Sequence, residues 1–210
     1  MPIVDDLFFR KLRPDSLIVS ILRLFGHGLK IGRGNRLKTA SGKYELRDVI
    51  YYIVKKLDHV DGLKKLMKLI FLVQYDAGIL PSRVVKYLYN SEPLTRTEFY
   101  IWQLGPYSDD VYDIVYNDDN IVLKPDEYGR TIIKLKHDVE IVLPEEVKNR
   151  INRILRKYCN WSGTKLEHYT LKKILKFELV EEKEDWYGVP VDECLKRRGI
   201  SIREVDLAET

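Results

Sequence analysis

Glutamine is almost missing from these 210 residues: Gln74 and Gln103 stand alone against 32% charged residues and 14 tyrosines. Chains that work hot tend to replace labile amides with ion pairs, so this balance leans toward a thermophile. Cysteine is equally scarce. Cys159 and Cys194 lack the four closely spaced ligands of a zinc site and read as free thiols in a reducing compartment. The histidines, His27, His59, His137 and His168, all lie more than four positions from one another and from either cysteine. No helix face therefore points two rings at one ion, and neither a metal nor any other cofactor is expected. Uncharged apolar stretches such as Leu69 to Val73 fall far short of the ~20 residues that span a bilayer. The N-terminus carries Asp5 and Asp6 where a signal peptide needs basic residues, so a cytoplasmic location is expected.

Catalytic syntax is missing too. Asp109/Asp110 and Asp118/Asp119 are sequence neighbours, and adjacent side chains on a helix diverge by about 100°, which spoils them as an acid–base pair. Ser162 lacks the preceding glycine of a nucleophile turn. The pairs Gly26/Gly28 and Gly32/Gly34 have no Gly-Lys-Ser/Thr or G-x-G-x-x-G continuation and read as flexible linker. By elimination the chain is not expected to be an enzyme.

What is present is charge asymmetry. The net charge of +4 conceals an N-terminal half, to residue 105, with 18 Lys and Arg against 10 Asp and Glu, and a remainder with 18 against 22. Between Ser16 and Tyr44, Arg23, Lys30, Arg33, Arg36, Lys38 and Lys43 face no acid at all. Those six are candidate contacts for nucleic-acid phosphates or for an acidic partner.

Hydrophobic spacing sets the expected organisation. A helix over 15–25 and a glycine-punctuated linker form a basic N-terminal arm, residues 1–43. A main domain, 44–180, opens with helices over Leu46–Leu57 and from Leu63 to about Asp76; the latter is apolar around most of its circumference in its second half and belongs at the centre of a bundle. Val84–Tyr89 and Phe99–Leu104 are rich in strand formers. Ile121–Leu123 and Thr131–Leu135 flank a turn and read as a hairpin; Pro144-Glu145-Glu146 and Ser162-Gly163 each open a helix, the latter running to Leu175. Residues 181–210 are expected as a short helix, Val191–Arg198, and an acidic tail from Glu204 to Glu209. The fold class is α+β and predominantly helical: a compact helical core with a small β-hairpin or sheet, plus the basic arm.

The densest pattern is Phe99-Tyr100-Ile101-Trp102-Gln103-Leu104-Gly105-Pro106-Tyr107-Ser108-Asp109-Asp110-Val111-Tyr112. Gly-Pro stops one ordered element, and Ser108 with two acids starts a helix by supplying acceptors and negative charge to its unpaired N–H groups. Aromatic residues this crowded cannot all face one side of a strand, which leaves some available as anchors for a partner.

Three pieces resemble the Panacea antitoxin domain, a SocA-like module. They are the Leu/Lys helix Leu63 to Phe71, the signature Phe99-x-x-Trp102-x-x-Gly105-Pro106 with Val111-Tyr112, and the proline-started helix from Leu143 to Tyr158 with Ser162-Gly163-x-x-Leu166. Together they cover about residues 46–175. The resemblance implies a mostly helical fold and a non-enzymatic module of a toxin–antitoxin system that binds and neutralises a toxin protein, in some members as an adaptor toward proteolysis. Phe99, Trp102, Gly105, Pro106, Tyr107 and Tyr112 are the candidate partner-binding residues. The alternative is a winged-helix-like transcription regulator that binds nucleic acid through the basic segment, since helices followed by a hairpin permit that arrangement.

Overall fold

The computed structural model describes residues 44–80 and 82–209. The expected N-terminal helix, its glycine-rich linker and the six basic residues from Arg23 to Lys43 lie outside the described residues.

Helix α1, Leu46–Leu57, buries Leu46, Val49, Ile50, Tyr51, Ile53 and Val54, the stripe that 3.6-residue periodicity demands. Its start is a capping box: the Glu45 side chain takes the backbone N–H of Asp48, and the Asp48 carboxylate takes that of Glu45. After strand β1, Val60–Asp61, helix α2, Leu63–Gln74, is buried at every position but Lys64. It is the central element, as the nearly unbroken apolar run of its second half requires. It ends at Gln74 rather than Asp76, because Tyr75 takes extended backbone and begins strand β2, Tyr75–Ala77.

Strand β3, Arg83–Tyr89, carries the larger sheet. Its Arg83 and Tyr87 carbonyls face Gly78 and Leu94, so β2 and strand β4, Glu92–Pro93, share one edge. Gly78 must be glycine there, since a Cβ would meet the Arg83 carbonyl oxygen at 2.4 Å. The other edge of β3 takes strand β9, Ser201–Asp206, in parallel along its length from Arg83↔Ser201 to Leu88↔Asp206. The acidic stretch that the sequence leaves as a tail thus holds the end of a sheet strand.

Strands β5, Tyr100–Trp102, and β6, Gly105–Tyr107, form a hairpin. Helix α3, Asp109–Asn117, follows at once, capped by the Ser108 hydroxyl, which accepts from the Val111 N–H. Strands β7, Ile121–Pro125, and β8, Thr131–Leu135, make the expected hairpin, and β1 adds to β8. Helix α4, Glu145–Tyr158, precedes helix α5, Gly163–Tyr169, whose last turn widens into a π turn over Thr170–Ile174. A 3₁₀ segment, Glu181–Trp186, and helix α6, Val191–Arg197, lead to β9. The architecture is α+β and predominantly helical, with one core running through α1, α2, α4 and the inner faces of the sheets.

Candidate protein-docking site

The β5–β6 hairpin lies against α2. Its register pairs Ile101 with Pro106 and Trp102 with Gly105, leaving Gln103-Leu104 as a two-residue loop. Gly105 has φ +80°, a conformation that side chains rarely adopt, and that turn lets Pro106 aim its carbonyl back into the protein. The other face of β5 is tied to the segment before α6: the Ile101 N–H donates to the Val189 carbonyl at 2.9 Å and the Gly188 N–H to the Ile101 carbonyl at 2.9 Å. A hairpin of three-residue strands would not persist alone. These bonds on both sides make it a fixed platform.

The six candidate residues fall into two sets. Phe99 is 2% exposed and packs edge-on against Phe71, with centroids 5.2 Å apart, so it is part of the core. Gly105 and Pro106 are buried backbone pieces of the turn, and Tyr112, 8% exposed, stacks on Tyr116 at 4.5 Å. Trp102 and Tyr107 are half-buried, the indole leaning on Tyr187 at 5.6 Å and the Tyr107 hydroxyl donating to Asp109 at 3.1 Å. These two rings, with Tyr100, Gln103 and Leu104, offer the hairpin's side chains to an incoming surface.

Beneath them sits an ionic cluster that the sequence reading missed. Lys68, 2% exposed, donates to the Pro106 carbonyl at 2.6 Å. Glu167, 5% exposed, accepts from Lys183 at 3.0 Å and lies 3.5 Å from the Lys64 ammonium. α2, α5 and the 3₁₀ segment therefore bring three lysine amines near one buried carboxylate, two of them as ion pairs. Burial, aided by repulsion from Lys64 and Lys183 and opposed by Glu167, pulls the Lys68 ammonium down to about 7. The signal available in the sequence was Lys68 itself, a charge beside the most apolar stretch of the helix and four positions from Lys64. Glu167 and Lys183, about a hundred residues on, carried none.

A narrow cleft opens between α2 and the hairpin, walled by Leu63, Met67, Trp102 and Leu104 with Lys64 and Lys68 at its base. Its enclosed part is about 10 Å³, room for roughly one water. Two wider open grooves, about 470 and 640 Å³, meet at Glu45, Leu46, Arg96 and Asp110 on the far side of α3. Among the described residues no group of three or more His, Cys, Asp or Glu side chains is placed to hold a metal. No described helix is long and apolar enough to cross a membrane. Cys159 and Cys194 are free thiols, and burial pushes Cys194 up to about 11.

Residues 66–174, just over half the chain, match the family described as antitoxin SocA-like, Panacea domain. The chain belongs to that family. The match runs from the middle of α2 to the end of the π turn, so the Panacea region contains Lys68, the β5–β6 hairpin, α3 and Glu167, while Lys64 and Lys183 lie outside it. An antitoxin-type role follows from membership. No curated protein and no solved structure matches the chain.

Proposed function

We propose that this Panacea protein is a cytoplasmic, non-enzymatic docking module that neutralises a toxin protein by binding it directly. The observation that supports this most is the rigid hairpin, which holds Trp102, Leu104 and Tyr107 at the surface above a cationic floor. Tyr and Trp on a fixed support lose little conformational freedom when a partner covers them, which is why such rings anchor protein interfaces. The test is co-expression with the product of the neighbouring reading frame. Growth arrest by that product alone, rescue by this chain and a stoichiometric complex on gel filtration support the reading; failure of both rescue and complex formation sinks it. Dependence of rescue on a host protease would add the proteolytic-adaptor role, and rescue in protease-deficient cells removes it.

One observation favours a second reading. The order α1, β1, α2, α3, β7, β8, with β1 added to the hairpin's second strand β8, is winged-helix connectivity interrupted by β2 to β6. The helix that would enter a DNA groove is α3, whose exposed Asp109, Asp110 and Asp113 repel phosphates. DNA contact would therefore fall to the basic residues Arg23, Lys30, Arg33, Arg36, Lys38 and Lys43. A gel shift with duplex DNA decides it: no complex at low salt removes this reading, and a complex that weakens steeply with added salt supports it.

A further inference from the structure

We infer that the cleft between α2 and the β5–β6 hairpin is the receptor for one acidic side chain, an Asp or Glu framed by apolar residues, on the partner protein. This rests on the docking reading above and specifies what the docked surface must carry.

The argument begins with charge. Lys64 and Lys183 both pair with the single carboxylate of Glu167, which leaves one positive charge in excess, and the nearby Lys68 adds a second whenever its amine is protonated. Glu167 does not line the cleft, and the charged residues that do are Lys64 and Lys68.

Hydrogen-bonding capacity points the same way. An ammonium has three donors. Lys68 spends one on the Pro106 carbonyl. Lys64, whose side chain is 23% exposed, reaches Thr164 and Glu167 only at 3.5 Å each, at the outer limit of a hydrogen bond. Lys64 therefore keeps donor capacity for an acceptor arriving at the mouth, and the buried Lys68 adds its charge from beneath. The walls, Leu63, Met67, Trp102 and Leu104, exclude water from such a contact and lower the local dielectric, which strengthens each ion pair formed there.

Proton uptake is the signature. Lys64, Glu167 and Lys183 are the charged groups facing Lys68 from α2, α5 and the 3₁₀ segment, and β6 offers it only the Pro106 carbonyl. With its ammonium held near 7, Lys68 is partly neutral at neutral pH. A carboxylate in the cleft favours the charged form, so binding takes up a proton and tightens as pH falls from 8.5 to 6.5.

The experiment is calorimetric titration of the intact chain with the product of the neighbouring reading frame at both pH values, repeated with Lys64→Gln and Lys68→Met. Lys64→Gln changes an accessible amine and leaves the core alone; Lys68→Met is checked for folding by circular dichroism. The expected result is a loss on the order of tenfold or more for each variant at pH 6.5, and a pH dependence that vanishes in Lys68→Met. One Asp or Glu of the partner, found by amide substitution, should give the same loss without adding to Lys64→Gln. Absence of any binding by the unaltered chain counts against the docking reading itself. Binding that weakens on Trp102→Ala, yet is indifferent to both lysine variants and to pH, keeps that reading and overturns the carboxylate receptor.

Discussion

The Lys68 ammonium and the Pro106 carbonyl, 38 positions apart, meet at 2.6 Å in the interior. This contact explains why a glycine and a proline follow Trp102 at their fixed spacing. Gly105 supplies the left-handed turn, and Pro106, which has no N–H to satisfy, presents its carbonyl to an amine inside the protein.

Burial of Lys68 makes stability depend on pH. Below about 7 its ammonium is charged in both folded and unfolded chains, and the desolvation penalty is present in full. Between about 7 and the ordinary lysine value the unfolded chain holds a proton that the folded one does not, so stability rises with pH across that window, by at most ~1.4 kcal/mol per unit. Burial pushes the Tyr44 and Tyr75 hydroxyls up, which reverses the slope above about 10. The expected outcome is that the parent chain gains on Lys68→Met from pH 7 to 9.5 in parallel urea titrations. A constant difference would show that Lys68 does not titrate in this range.

Gly105→Ala tests the turn separately from the amine. A Cβ there meets Lys68, Glu167 and Leu171 side-chain carbons at 3.5–3.6 Å, ordinary contact distances, so the penalty comes from φ +80° and not from collision. The expected loss is about 1–2 kcal/mol. Thermal unfolding measures it, and a loss several times larger would mean the space around the turn is tighter than described.

Arg150 closes the C-terminal end of α2. It is 3% exposed, donates to the Val73 carbonyl at 3.1 Å and the Leu72 carbonyl at 2.9 Å, pairs with Asp76 at 3.2 Å and lies 3.9 Å over the Tyr87 ring. These carbonyls are among those that a helix end leaves without intrahelical partners. Arg150→Ala should cost about 3 kcal/mol by stranding them. Arg150→Lys should recover only part of that, because one ammonium cannot copy the planar fork. Equal stability of the two variants in urea would locate the effect in the lost stack on Tyr87 instead.

Much of this fold is written in local pattern. The 3.6-residue stripe of Val49, Ile50, Ile53 and Val54 marks α1, Ser108 marks the start of α3, and the turn between Ile121 and Leu135 marks the hairpin. What local pattern could not show depends on distant partners. β9 reads as an acidic tail because Arg203 and Glu204 are exposed and its pairing strand, β3, lies over a hundred residues earlier. Tyr75 leaves the helix for a strand because Lys86, its partner in β3, draws it into the sheet. Lys64 and Lys68 share a face of α2 at i,i+4 spacing, but no spacing rule connects them to Glu167 and Lys183, which complete the cluster. The aromatic run was visible, but its division into core and surface was not: the chain alternates at β5, so Ile101 points in while Tyr100 and Trp102 stay half-buried.

That division yields the sharpest pair of variants. Phe99 and Trp102 are three positions apart in one signature, yet Phe99 is packed among Phe71 and Tyr75 and Trp102 rests at the cleft against Tyr187. Removing the Phe99 ring empties core volume, so Phe99→Ala should cost about 3–5 kcal/mol and lower the melting temperature by roughly 10 °C. Trp102→Ala removes a ring that is already half in water; its stability loss should stay near ~1–2 kcal/mol, while affinity for the partner falls at least about tenfold. Melting curves and binding isotherms on the same two preparations separate the effects. If Phe99→Ala, measured well below its melting temperature, weakens the partner more than Trp102→Ala does, the anchoring role moves off the exposed indole and onto the shape of the core beneath it.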